Sequence, residues 1–475
     1  MGLAAVARGG PALSGADLVL RGSRVLVDGA PRPAAVHVRG GRIAEITPPG
    51  DAGPAAQVVE AGDLLVGPGL MDVHVHVNEP GRTDWEGWAS ATSAAAAGGV
   101  TTIVEMPLNG LPPTTGAAGV RARVEALAGK ARVDVALWGG LVSADPSPLA
   151  ELASLGVAGF KCFMSPSGVP EFPHVGEAEL DATLPALREL GLPLLAHAES
   201  PAALERAWAL RSPSHDPRAY ATWLATRPED AEVEAIDTLV RLCRRHGTRV
   251  HVVHVSSRGG AERVAHAREE GLPLSAETCP HYLAFTSADV PDGATDFKCA
   301  PPIREAAHRE ALWAALAGGE LELVASDHSP CLPAMKVPDH GDFLAAWGGI
   351  AGLQLLLPGL WTGAAARGIP PEAISRWLAA APARLAGLEG RKGAIAPGGD
   401  ADFVLWDDAA TFTVEPGALH HRHKVTPWAG RALRGVVHQT WLRGRLVYHR
   451  DRGLLDPPGG AFLPAHRRRG APAAN

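Results

Sequence analysis

Residues 69–88 read GLMDVHVHVNEPGRTDWEGW, an apolar run that ends in two histidines, His74 and His76, spaced i, i+2. In an extended strand alternate side chains share a face, so this spacing sends both imidazoles to the same side. Two nitrogens so placed can reach one ion. Taken alone, however, an HxH reads equally well as two solvated or core histidines. What separates these readings, and decides the fold, is whether the pattern of an apolar run closed by a polar residue recurs.

It recurs seven times, in TTIVEMP, DVALWGGLV, GFKCFM, PLLAHAES, RVHVVHVSS, LPLSAETCP and ELVASDHSP. The stretches between these runs are rich in Ala, Leu, Glu and Arg with helical periodicity. Eight strands alternating with helices predict an α/β fold, a (β/α)8 TIM barrel. The chain ends differ in texture. ADLVLRGSRVLVDG, AAVHVRGGRIAEI and QVVEAGDLLVGPG near the start, and DADFVLWDD, FTVEPG and RGVVHQTWLRGRLVYH near the end, alternate apolar and polar residues between glycine turns. Half-buried antiparallel strands have that pattern. The expected organisation is a discontinuous β-domain from both chain ends, 1–67 with 386–455, a catalytic barrel over 68–385, and a flexible tail over 456–475.

Composition narrows the function. With 475 residues, 46% hydrophobic and 20% charged, and with 55 Gly and 41 Pro scattered along it, the chain reads as a soluble globular protein. A net charge of -7 leaves no basic footprint for nucleic acid, and HRRRG around Arg467 sits in a Pro/Ala-rich terminus expected to be solvated. Cys162, Cys243, Cys279, Cys299 and Cys331 are odd in number and form no CxxC, as in a reduced, cytoplasmic protein. No apolar run reaches the roughly 18 residues of a membrane helix, so no membrane association is expected. There is no GxGxxG after a strand, no P-loop and no GxSxG, which removes nucleotide-binding and serine-hydrolase readings. The twelve tryptophans read as core and pocket wall.

Barrel enzymes place their chemistry at the C-terminal ends of the strands. The residues found there are His74 and His76, Lys161, His197, His254 and Asp327. Independent core histidines have little reason to fall repeatedly at strand ends, so these residues predict a metal site. Nitrogen and oxygen donors suit zinc or a neighbouring divalent transition metal. Lys161 in VAGFKCFM is an ammonium among apolar neighbours, where burial costs the charged form. It reads as a snorkelling lysine, a buried ion pair, or a lysine carboxylated by CO2 whose carbamate gives one oxygen to each of two metals. His251 and His328 are expected to point away from the site on strand alternation, and His281 to support a ligand or to be structural.

These residues resemble the cyclic amidohydrolases of the metal-dependent amidohydrolase superfamily. The similarity spans nearly the whole chain, and its long motifs are most like those of the allantoinases: HVHVNEPGRTDWEGW, AAAAGGVTTIVEMPLNGLPPTT, GFKCFMSPSGVPEFPHV, AETCPHYL, KCAPPIRE and ASDHSPC. The resemblance implies two divalent ions per subunit, zinc with Co, Mn or Ni as substitutes. His74, His76 and Asp327 would hold one ion, His197 and His254 the other, with Lys161 bridging as N6-carboxylysine. It implies a β-sandwich for the discontinuous domain and a homotetramer. It also implies Asp327 as the catalytic acid and base, and allantoin as a small-molecule substrate opened to allantoate in purine catabolism.

Two departures bear on the substrate. Dihydroorotases carry a carboxylate-gripping arginine two residues after the second histidine, where this chain has Asn78. Hydantoinases and dihydropyrimidinases carry a tyrosine five residues after the bridging lysine, where this chain has Pro166. The nearest rival is nonetheless a hydantoinase or dihydropyrimidinase acting on a related cyclic amide. Expected substrate contacts are Asn78, Ser165 and Ser167, with the backbone around Cys299, Ala300, Trp347 and Gly348. An assembly protein that has lost its metal ligands is a third reading, against which every expected ligand position is filled.

Overall fold

The computed structural model describes residues 15–51, 53–212 and 214–465. The eight apolar runs form the strands Leu70–Val75, Val100–Glu105, Asp134–Leu137, Phe160–Phe163, Leu194–His197, Val250–Val252, Leu274–Thr278 and Leu323–Val324. Neighbours pair in parallel around a ring, with Gly139–Gly140 carrying the third strand past Trp138 to the fourth. A bridge between Val75 and His328 closes it, with His76 N donating to His328 O at 2.8 Å. Helices cover the outside while Met71, Val73, Val104, Ala136, Leu195, Val253 and Leu323 fill the inside. Strands buried on both faces need apolar residues at nearly every position, which is why they read as continuous runs.

The helix Glu229–His246 shows how the intervening stretches specify themselves. It opens on Glu229, Asp230 and Glu232 and closes on Arg244, Arg245 and His246, each charge opposing its end of the helix dipole. Gly247, at φ 63°, then ends it in the left-handed conformation glycine takes without cost. Ile236, Leu239, Leu242 and Cys243 recur at helical spacing and turn into the core.

Both ends of the chain build the second domain. Its strands are hydrogen-bonded in the order Gly453–Leu454, Arg445–His449, Ala432–Leu442, Phe403–Thr413, Leu65–Pro68, Ala16–Val27, Ala30–Arg39 and Arg42–Thr47, with Ala55–Glu60 also paired to Ala16–Val27. The seam between the chain's two ends is antiparallel, Phe403 lying opposite Pro68 and Leu405 opposite Val66. The sheet folds over a shared core in which Leu18, Leu20, Val36 and Val38 meet Phe403, Leu405 and Trp441. That is a small β-sandwich beside the barrel, formed by strands from both termini.

Buried polar contacts tie the domains together. Lys392 Nζ lies 2.8 Å from Asp134, 2.9 Å from Asp400 and 2.6 Å from Asp402, so the cation among these three carboxylates is the chain's own ammonium. Asp134 begins the third barrel strand and also pairs with Arg443 of the β-domain. Gly69 marks the crossing from domain to barrel, where a Cβ would sit 2.2 Å from Thr101 Oγ1 and 2.8 Å from Asp402 Cβ. Only glycine fits that approach.

The expected flexible tail is corrected over residues 456–465. Ala461 N donates to Asp134 Oδ1 at 3.0 Å, Leu463 N to Val135 O at 2.7 Å and Ala465 N to Gly156 O at 2.9 Å, while Leu463 is buried. Satisfied backbone groups and an apolar anchor hold this stretch on the barrel. The arginine cluster at Arg467 lies outside the described residues.

Candidate metal centre

His74 lies within its strand and His76 one residue past it, and both are buried. His74 Nε2 is 3.4 Å and His76 Nε2 3.7 Å from Asp327 Oδ1, a cluster of three donors close enough to share an ion. Opposite them, His197 ends the fifth strand and His254 follows the sixth, with His197 Nδ1 and His254 Nε2 3.1 Å apart. The two groups adjoin, the rings of His74 and His254 being 5.3 Å apart. Lys161 and His197 sit on adjacent parallel strands, and closure of the ring between Val75 and His328 brings Asp327 beside His74 and His76.

His254 and Asp327 have φ 44° and 45°. The left-handed region is costly for residues with a Cβ, and such strain persists only where surrounding structure fixes it. Here the turn redirects the chain at two strand ends and leaves both side chains in the cavity. It is a feature of the site itself.

Two further carboxylates set the rings. Glu277 Oε1 is 2.6 Å from His74 Nδ1, and its other oxygen is 3.1 Å from His251 Nε2. Glu199 Oε2 is 2.6 Å from His197 Nε2 and pairs with Arg227. A carboxylate on one ring nitrogen makes that nitrogen the donor, so the opposite nitrogen presents its lone pair to the centre. Burial pushes both carboxyls up, yet the partners outweigh it. For Glu277 the charges and hydrogen bonds of His74 and His251 hold it near 2, and for Glu199 those of Arg227 and His197 do the same.

Lys161 Nζ is fully buried without a hydrogen-bond partner, 4.7 Å from the centre of the Phe163 ring. Burial lowers it to about 8, against small opposing effects of Cys162, Glu277 and Asp327. An orphaned amine beside four histidines and an aspartate fits a group that gains a negative charge when cations are present. The donor set as a whole, with lone pairs turned inward and a buried amine between them, fits two divalent ions.

These side chains form the floor of a cavity of about 430 Å³. Its walls carry Ser167, Ala300, Trp347 and Gly348 of the expected contacts, together with Asn109, Trp223, Arg227 and Lys298. Asn78, Ser165 and Cys299 are not among the lining residues. Asn78, at φ 65°, is buried, its Nδ2 donating to Pro330 O at 3.3 Å and its Oδ1 without a hydrogen-bond partner. Ser165 is buried, Ser167 donates to Phe172 O at 2.5 Å, and Cys299 O accepts from Trp223 Nε1 at 3.2 Å. His251 does not reach the centre directly but shares Glu277 with His74. His328 faces away, its Nε2 3.6 Å from Glu86, and His281 is buried beside Tyr282.

A sequence profile described as Amidohydrolase family matches residues 65–447. An allantoinase of Streptomyces avermitilis is 47% identical over 94% of this chain and 98% of its own length. An allantoinase of Arabidopsis thaliana is 41% identical over 86% of this chain and 82% of its own. Among solved structures, an L-hydantoinase from Arthrobacter aurescens superposes with a TM-score of 0.88 at 28% identity, covering 94% of this chain and 99% of the hydantoinase. The profile spans the barrel strands that carry every residue of the centre, and the chain belongs to the Amidohydrolase family, in its cyclic amidohydrolase branch.

Proposed function

We propose that the protein hydrolyses the ring amide of allantoin to give allantoate, the reaction named in its relatives, within purine catabolism. The observation that carries this reading is full-length similarity to allantoinases joined to a complete set of inward-facing donors beneath a cavity of small-molecule size. His74, His76 and Asp327 would hold one divalent ion, and His197 and His254 the other. Lys161 would join them as its carbamate, formed when CO2 bonds to the neutral Nζ and the amine loses a proton. Zinc suits the donors, and Co, Mn or Ni would substitute. Bound there, the ions make water nucleophilic near neutral pH and polarise an amide carbonyl.

The chain's own residues supply the rest. Burial raises the Asp327 carboxyl, but His74, His76 and His281 outweigh that and keep it well below the usual carboxylate range. It is therefore an ionised base at working pH. It accepts the proton of the attacking oxygen and returns it to the departing ring nitrogen, as hydrolysis of an amide requires. Phe163, stacked on the His197 ring at 4.7 Å, lines the cavity beside that ligand.

Asp327→Asn is expected to abolish ring opening while largely keeping metal, measured by turnover alongside metal analysis; near wild-type turnover would overturn the role. The substrate is tested by reconstituting purified protein with several metals and comparing allantoin, hydantoin and dihydrouracil. Allantoin is expected to be opened fastest. Preference for hydantoin or dihydrouracil would assign the protein to the hydantoinase reading, which the likeness to solved hydantoinases supports. We further propose a cytoplasmic homotetramer, checked by light scattering, and the domain division 1–67 with 386–455 around 68–385. No helix among the described residues is long and apolar enough to cross a membrane.

A further inference from the structure

Two lysines near the cavity do something that neither the metal centre nor the acid–base chemistry uses. Lys298 Nζ lies 3.3 Å from Leu344 O and 2.5 Å from Ala346 O. Lys336 Nζ lies 3.0 Å from Trp347 O and 2.5 Å from Gly349 O. Both side chains are buried. Four of the six carbonyls in residues 344–349 are thus turned onto two lysine Nζ groups, and only those of Ala345 and Gly348 are left outside the arrangement.

The same segment is a wall of the cavity, which Ala345, Ala346, Trp347, Gly348 and Gly349 all line. Its backbone needs outside support. Gly348 and Gly349 give it the greatest freedom to lose on ordering, and Gly349 is at φ 141°, where a Cβ would fall 2.2 Å from Ser329 O. The two lysines are themselves interlocked with it. Gly349 N donates to Lys298 O at 2.8 Å and Trp347 N to Met335 O at 2.8 Å, beside Lys336. Lys298 is fixed from its other side by the Trp223 ring, 4.2 Å from Nζ, and Trp223 also lines the cavity.

We propose that Lys298 and Lys336 are positioning residues, whose Nζ donors hold the 344–349 backbone in the shape that receives the neutral amide edges of the substrate. A cyclic ureide offers only uncharged donors and acceptors, so a backbone wall with fixed carbonyl directions recognises it where a charged side chain would not. Burial lowers Lys298 to about 7 and holds Lys336 below the ordinary lysine value, but a neutral amine keeps the two N–H donors that its two carbonyls need, so the wall is preorganised at no cost to the substrate in either state. The inference rests on ring-amide hydrolysis as the reaction, and the test is run on whichever cyclic amide of the panel the wild-type protein opens.

Lys298→Met and Lys336→Met are compared with wild type for metal content, KM and kcat. The expected result is full metal loading, KM raised by about ten-fold and kcat within about three-fold, the split that marks lost binding rather than lost chemistry. Lys298→Arg and Lys336→Arg, which keep N–H donors, are expected to recover most of the KM. Unchanged KM in both methionine variants, a fall in kcat at constant KM, or no recovery in folded arginine variants would overturn the proposal. If a methionine variant does not fold, Lys298→Gln or Lys336→Gln stands in, and wild-type KM at full metal in the glutamine variant overturns it equally. A wild-type preference for another cyclic amide would change the substrate reading without touching this comparison.

Discussion

Glu277 joins two histidines, one oxygen 2.6 Å from His74 Nδ1 and the other 3.1 Å from His251 Nε2. The first histidine is a candidate ligand and the second is not, so one buried carboxylate fixes both the ring that would meet the ion and the ring behind it.

Glu277→Gln keeps the volume but makes the contact to His74 indifferent to which ring nitrogen carries the proton. Metal affinity is expected to fall by roughly 10- to 100-fold, as for other outer carboxylates of metal-bound histidines. Competitive metal titration against a chromophoric chelator measures it. Affinity equal to wild type would show that the carboxylate does not set the ligand.

Carboxylation of Lys161 needs the neutral amine, and burial brings Nζ down to about 8. The neutral fraction rises with pH through that value. Metal reconstitution of metal-free protein at fixed dissolved CO2 is therefore expected to quicken from pH 6.5 toward pH 8 and to level off above it. Lys161→Ala is expected to lose metal and activity together, with partial recovery in short carboxylic acids. Full metal loading of the alanine variant would rule out the bridge.

Lys392 pairs with three carboxylates at the domain junction. Lys392→Met leaves them buried without it, a change that costs about 3–5 kcal/mol when a partner is removed from a buried ion pair. A lowered thermal transition, with turnover kept well below it, is the expected result. An unshifted transition would mean that Arg391, 2.9 Å from Asp400, and Arg443, paired with Asp134, suffice.

Asn78→Gly keeps the left-handed backbone and removes the bond to Pro330, worth about 1 kcal/mol. KM for allantoin is expected to stay within about three-fold of wild type, because Asn78 does not line the cavity and its Nδ2 is engaged by Pro330 O. A large rise in KM would return Asn78 to the substrate site.

The barrel was legible because its strands are buried on both faces at nearly every position and so spell short, largely apolar runs. The polar residues closing those runs announced themselves for the same reason. Glu277 carried that signal too, a carboxylate inside LSAET, as did Glu199 in AHAES, but apart from His197, two residues before Glu199, their partners lie elsewhere. Glu277 meets His74 across 203 residues and Glu199 meets Arg227 across 28, distances over which no spacing rule operates. Asn78 is a different case. Its place in the motif points to the substrate, but neither its positive φ nor the contact of its Nδ2 with Pro330 O, 252 residues away, leaves a mark in the sequence. The lysine contacts to residues 344–349 run to main-chain carbonyls, which leave no mark on side-chain pattern at all.

The seam of the β-domain has a consequence for the nascent chain. Leu65–Pro68 emerges early in synthesis, but its partner Phe403–Thr413 follows only after the whole barrel has been made. Until then the early strands present an open edge, and open edges invite pairing with other chains. The barrel can begin to assemble in order of synthesis, whereas the β-domain can only close at the end. A chain stopped near residue 400 would keep its candidate metal ligands and still leave one edge of Leu65–Pro68 unpaired, with Ala16–Val27 on its other side. Truncation is therefore expected to show itself as aggregation before it shows itself as lost chemistry.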